Sequence, residues 1–325
     1  MEVDSLRATH HTWPNLRNRA ATAPPEAAAA VERWVDHPVE KGQDVLVQAV
    51  STEGKYRMAE RVTISKQDGV ADVRLNRTEK LNALDPPMFE GLIAAGKALA
   101  ADPSVRAVVL SGEGRAFCAG LDFASFMALA GSQPGRNPLE REEGSVANFA
   151  QRAAYVWMEL PVPVIAAVHG VAFGGGLQIA LAADIRFVAP DAQLSVMEIK
   201  WGLIPDMTGS QTLRHLVRLD VAKELMFTGR LITGSEAVAL GLATRVSDDP
   251  HADALALACE IAAKSPDAVR AGKRLLNQAG LVSLADGLRL EESLQLTLIG
   301  TPNQVEAVQA NMEKRTPRFK DPGEH

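Results

Sequence analysis

Three consecutive glycines, Gly174-Gly175-Gly176, stand closely behind an apolar run and directly ahead of a helix-forming stretch. Val164–Val168 reads as a buried strand and Leu177–Ala183 as a helix, so the triplet turns a strand into a helix. Glycine at such a place lets backbone approach a ligand, and the free N–H groups of a helix start favour negative charge. A plain tight turn is the competing use. A nucleotide loop is excluded, because no Gly-Lys-Ser/Thr follows and the G-x-G-x-x-G spacing is absent.

The flanking pattern is α/β. Val62–Ile64 and Val70–Leu75 read as strands joined near Asp68-Gly69, a hairpin pair. Asp85-Pro86 predicts a helix start, and Met88, Leu92, Ile93, Gly96 and Leu99 then share one face as far as Ala101. Val105–Leu110 and Ile185–Val188 read as further buried strands. Repeated strand–strand–helix modules imply layers with mostly parallel crossover connections. Strands stop after Asp248, and Ala252–Lys264, Pro266–Ala279, Ser283–Leu298 and Pro302–Lys314 read as helices. The expected division is an extension over 1–57, a core over 58–250 and a helical region over 251–325.

The extension has its own character. It holds eight Asp/Glu and no apolar run of the signal-peptide kind, so neither a secretory signal nor a transit peptide fits. One short helix is possible over Glu26–Val35; otherwise a poorly ordered, dispensable tail is expected, ending just before Met58. Elsewhere, 34 basic against 40 acidic residues leave a net charge of −6, which advertises no nucleic-acid face. Two cysteines, Cys118 and Cys259, exclude a disulfide scaffold and a Cys-built metal site and suit a reducing cytosol. The longest apolar stretches, such as Pro161–Val168, are too short for a membrane span. A cytoplasmic protein with no membrane or nucleic-acid partner is expected.

Four segments occur in one order: Asn76–Leu84, Phe117–Asp122, the glycine segment Ala166–Asp184, and Glu198–Gln211. In order and spacing they resemble the crotonase (enoyl-CoA hydratase/isomerase) superfamily, and the resemblance runs from about Arg61 to Pro322. It extends to Leu231–Ala237 and to Glu313–Pro317. It implies a spiral of β-β-α units whose C-terminal helices help build a trimer or a dimer of trimers. It also implies an acyl-CoA thioester substrate, with no cofactor beyond that coenzyme A and no metal. By motif position, the amides of Leu121 and Gly175 would hold the thioester oxygen as an enolate forms. Asn82, Ala83 and Leu84, with Ala119, Gly120 and Asp122, would wall in the coenzyme, and Gly174, Gly176 and Gln178 would also bind the substrate.

The carboxylates separate the chemistries. Hydratases of the superfamily use two glutamates; here the first position is Gln178, which cannot exchange a proton near neutral pH, and the second is Glu198. Eight residues on stands Asp206, at a spacing similar to that of dienoyl-CoA isomerases, although those carry an acid at the position of Gln178 as well. Asp206 is either a second proton-transfer group in the pocket or a cap for a helix over Gly209–Arg218. Gln178 either bonds within its helix or orients a water. His169 reads as a packed or backbone-bonded histidine, Cys118 as a small packing residue, and Met197 and Trp201 as acyl-pocket or core residues. Glu198 as the acid/base of double-bond isomerisation is the leading reading. Hydration and non-catalytic acyl-CoA binding are the alternatives.

Overall fold

Val62–Gln67 (β1) and Val70–Leu75 (β2) form an antiparallel hairpin, with Val62 opposite Leu75 and Gln67 opposite Val70. Asp68 and Gly69 between them both have positive φ, 51° and 80°, which lets a two-residue loop follow the strand twist. This computed structural model describes residues 61–125, 139–141 and 144–323. The extension over 1–57 and the helix expected at 26–35 lie outside the described residues.

Pro86–Ala101 (α1) starts as the sequence predicts, with the Asp85 carboxylate accepting from Met88 N and proline in the first turn. Ala107–Gly112 (β3) begins two residues later than expected and runs through Ser111-Gly112. Phe149–Glu159 (α2) follows, opened by a reciprocal capping pair in which Asn148 accepts from Gln151 N and Gln151 accepts from Asn148 N. Then come Val164–Val168 (β4), Val171–Phe173 (β5), Gly175–Leu181 (α3), Ile185–Val188 (β6) and Gln193–Ser195 (β7). Gly209–Leu216 (α4), Leu219–Thr228 (α5), Ile232–Thr233 (β8), Gly234–Leu240 (α6) and Arg245–Val246 (β9) complete the spiral.

The strands sort into two sheets. The main sheet has the order β1-β2-β3-β4-β6-β9, parallel apart from the first hairpin, and β5-β7-β8 form a smaller one. After β4 the chain crosses to the small sheet for β5, and after β6 it crosses again for β7. That alternation makes the β-β-α unit a spiral step. Its topology places the ends of β2, β3 and β4 side by side.

Packing differs on the two sides. Trp157, Phe89, Met88, Leu92 and Leu177 form one large cluster with Val73, Leu75 and Leu110, all buried. A second cluster joins Val70, Ala107, Val109, Ile165, Ala167 and Phe187 of the main sheet to Ala254, Leu255, Ala258 and Cys259. Those last four belong to Pro250–Ala262 (α7). The first helix of the expected 251–325 region therefore packs into the core. Pro266–Ala279 (α8), Leu284–Leu298 (α9) and Pro302–Glu313 (α10) follow, with α8 and α9 packed on each other. Among the described residues no helix is long and apolar enough to cross a membrane.

Candidate active site

Because β2, β3 and β4 are parallel neighbours, the segments leaving their C-terminal ends meet, and polar side chains lock them together. Asn82 is fully buried; its Oδ1 accepts from Arg77 N at 2.8 Å, and its Nδ2 donates to the carbonyls of Glu113 at 2.9 Å and Ala116 at 2.8 Å. Arg77 donates through Nη1 to the Ala83 carbonyl at 3.0 Å and through Nη2 to Asp122 Oδ2 at 2.8 Å. Backbone bonds finish the join: Ala119 N to Leu81 O, Leu84 N to Gly120 O and Asp122 N to Leu84 O. The side chains of Asn82 and Asp122 are thus engaged in bonds within the protein. What these two segments present is mostly backbone, with half-buried Ala83, Ala119 and Leu121 alongside.

The glycine loop closes on this pair of segments. Cys118 N donates to Val171 O at 3.0 Å, and Phe173 N donates back to Cys118 O at 3.0 Å. A methyl on Gly176 would lie 2.5 Å from the Cys118 carbonyl oxygen, and one on Gly120 would lie 2.5 Å from Phe173 O and 3.8 Å from Gly175 N. Such approaches exclude any side chain. Gly174 has φ 50° and ψ −121°, a conformation that only glycine adopts without strain. The Gly120 position, next to Leu121, thus lies against the Gly175 amide. Neither the Leu121 nor the Gly175 amide has a backbone acceptor among the described residues; for Gly175, in the first turn of α3, helix geometry leaves the N–H free.

Glu198 comes up beside this place on a 3-10 turn, Met197–Trp201. A methyl on Gly174 would lie 3.4 Å from its Oε1. That oxygen accepts from Gln178 Nε2 at 2.6 Å, while Oε2 is buried and without a hydrogen-bond partner. Burial raises the Glu198 carboxyl above its ordinary range; its own backbone and Gln178 pull the other way, and the negative charge of Asp206 adds to the rise. Gln178 is itself buried, and its Oε1 accepts from Met207 N at 2.7 Å and Gly209 N at 2.9 Å. Its carbonyl is therefore filled by backbone and does not orient a water.

Asp206 lies in the same short segment. The side chain makes no cap at the start of α4, and the Gly209 amide a cap would use goes to Gln178 instead. Partial burial raises the Asp206 carboxyl, against the pull of its own backbone amide, although the residue as a whole is exposed. Its negative charge is felt at Glu198. Phe123 and Trp201 stack at 4.4 Å between centroids beside the Glu198 turn. With Ile199, Leu203 and Ile204, all exposed, they give this side an apolar border.

The remaining candidates are structural. His169 Nε2 donates to Gly114 O at 3.0 Å, and burial lowers its basicity against that bond. Cys118 is buried, which pushes its thiol up to about 12 despite the Gly120 amide. Arg77 and Phe123 were missed by sequence reasoning. Both stand in or beside quoted segments, but nothing in their spacing marks one as a clamp and the other as a ring partner. A cavity of about 1480 Å³ opens elsewhere, between the end of α3 and the C-terminal helices, lined by Arg214, Lys273 and Leu294 among others. None of Leu121, Gly175, Gln178, Glu198 or Asp206 borders it.

Fold and site define a class: an α/β spiral whose glycine loop lies beside one buried carboxylate. The family model for enoyl-CoA hydratase/isomerase matches residues 65–322. Methylglutaconyl-CoA hydratase, mitochondrial, of Mus musculus is 36% identical over 278 residues, covering 83% of this chain and 85% of that protein. Human enoyl-CoA hydratase domain-containing protein 2, mitochondrial, is 34% identical over 269 residues, covering 80% and 88%. Among solved structures, an enoyl-CoA hydratase from Bacillus anthracis superposes with TM-score 0.71 at 31% identity, covering 80% of this chain and 99% of that one. The chain belongs to the enoyl-CoA hydratase/isomerase family, the crotonase superfamily of enzymes acting on acyl-CoA thioesters.

Proposed function

We propose that this protein moves a double bond within an enoyl-CoA, with Glu198 as the single proton carrier. The thioester oxygen sits between the amides of Leu121 and Gly175. Glu198 Oε2 removes a proton from an acyl carbon, and the electron pair runs through the chain to the thioester oxygen, giving an enolate that the two amides hold. Such preorganised donors are worth ~3–4 kcal/mol each against developing charge. The same oxygen returns the proton to a different carbon, so nothing is consumed and no cofactor is needed beyond the coenzyme A of the substrate. The segments around Ala83–Leu84 and Ala119–Gly120 flank the coenzyme, and Phe123 and Trp201 border the acyl chain.

One observation carries this reading: the site offers one buried carboxylate, bound on one oxygen and open on the other, with an amide where a second acid would stand. Adding water requires a group to activate it and a group to protonate carbon, and a single carboxylate serves a 1,3-proton shift more simply. Hydration is the second reading, favoured by the printed names of the relatives, several of them hydratases. In that reading Asp206 supplies the second carboxylate.

Turnover of 2-enoyl-, 3-enoyl- and dienoyl-CoA thioesters decides between them. Faster isomerisation of a 3-enoyl or dienoyl substrate than hydration of the 2-enoyl one supports the proposal, and the reverse order replaces it with hydration. Glu198→Gln should lower kcat by about 10²–10⁴ with KM within a few-fold. Since the Glu198 carboxyl sits above its ordinary range and acts as a base, the rate should rise with pH through that raised value and then level off.

A further inference from the structure

We infer that Gln178 is a positioning residue: it assigns proton traffic to Oε2 of Glu198 and locks that carboxylate to the 205–209 segment. The inference rests on the proton-carrier role proposed above for Glu198. Three contacts on one buried side chain support it, and they are mutually determining.

Two backbone N–H groups, of Met207 and Gly209, converge on one end of the Gln178 amide. Only an oxygen can accept both, so that end is Oε1 and its two lone pairs are filled. The other end must then be the NH₂ group, and it meets Glu198 Oε1 at 2.6 Å. An N–H aimed at Oε1 keeps that atom an acceptor, so a proton taken by Glu198 goes to Oε2, the atom left without a partner. Removal and return of the proton then occur from one point in space. A glutamine confers this without adding a charge; a glutamate would set a second carboxyl oxygen against Glu198 and the two would share one proton.

The same contacts reach Asp206. Its neighbour Met207 gives its amide to Gln178, so the distance between Asp206 and Glu198 is set by a chain of two hydrogen bonds through one side chain. Gln178 touches no reacting atom in this arrangement; it acts through Glu198.

The test uses the full chain with ¹³C-labelled glutamate side chains, and Glu198→Gln identifies the Glu198 carboxyl resonance. In Gln178→Leu the donor is gone, and the Glu198 titration midpoint should move up by about one unit or more. A midpoint that moves less than about 0.3 units overturns the inference. This readout needs no turnover, so it stands apart from any failure of the isomerase reading. Gln178→Glu serves as the second variant, because it keeps an acceptor for both backbone amides and spares the fold. Its kcat should match the parent most closely at acid pH, where the shared proton restores a donor, and fall about 10–100-fold below it above neutrality, with KM changed less than about three-fold. Parent-like pH dependence in Gln178→Glu would equally overturn the inference.

Discussion

Arg77 ties two loops of the site with two hydrogen bonds, one to the Ala83 carbonyl and one to Asp122. Burial raises the Asp122 carboxyl, but the Ser125 hydroxyl and Arg77 together outweigh it and hold the group at about 2. A folded value below the ordinary 3.8 means this pairing stabilises the protein above pH ~4 and is lost as pH falls toward about 2. Arg77→Met should therefore cost about 2–4 kcal/mol at pH 7, and the gap from the parent in thermal melts should shrink below pH 3. It should also raise KM for acyl-CoA, since the Ala83 and Asp122 segments are no longer held together. Asp206→Asn separates the two readings: with Glu198 as the single proton carrier kcat should change less than about three-fold, whereas a loss of about ten-fold or more would bring Asp206 in as the second carboxylate of hydration. At this scale the sequence displays residue types but not their commitments. The glycine triplet, Glu198 and Gln178 stand out by spacing. That Asn82 spends its whole side chain on backbone does not, because its partners Glu113 and Ala116 lie more than thirty residues away.

Among the elements, α8 has a polar attachment to the core. Its only buried residue is Pro266, and hydrogen bonds tie it to the core. Lys273 Nζ donates to Val162 O at 3.0 Å, Trp157 O at 3.2 Å and Asp184 Oδ2 at 2.7 Å, and Arg270 reaches Val105 O at 3.0 Å. Lys273 has a 6% exposed side chain, so removing it strands an acidic partner and two carbonyls. Lys273→Met should destabilise the protein by about 3 kcal/mol in denaturant titration, and Lys273→Arg should recover only part. Long periodic elements such as α1 and the C-terminal helices were readable because their apolar spacing repeats. β5, β7 and β8 have only two or three residues each, too few to alternate visibly, so the second sheet escaped. α2 also went unread, although Asn148 and Gln151 form a capping pair whose N-x-x-Q pattern is a local signal.

Over the whole molecule, apolar side chains gather on the outer helices. Leu276, Leu281, Leu284, Leu288, Leu296 and Ile299 are all more than half exposed, a density that single scattered surface residues do not reach. The family resemblance leads us to expect that copies of the chain cover this face in a trimer or a dimer of trimers. Light scattering at micromolar concentration should then return a multiple of three times 34.7 kDa, and a monomer would leave the face unexplained. The strand order was only partly legible for a related reason. Parallel neighbours such as β3 and β4, or β6 and β9, are distant in sequence, and no local pattern announces which pairs meet.

The placement of α7 has a consequence in time. Val109, Ile165, Ala167 and Phe187 are all made before residue 188, yet the helix that shields them begins at Pro250. During synthesis from the N-terminus, at ~5–20 residues per second, that sheet face waits several seconds for its cover. A chain interrupted between β6 and α7 would carry a wide apolar surface with nothing of its own to place on it. Early termination in this gene product should therefore yield sticky, chaperone-bound or degraded fragments rather than a smaller working enzyme.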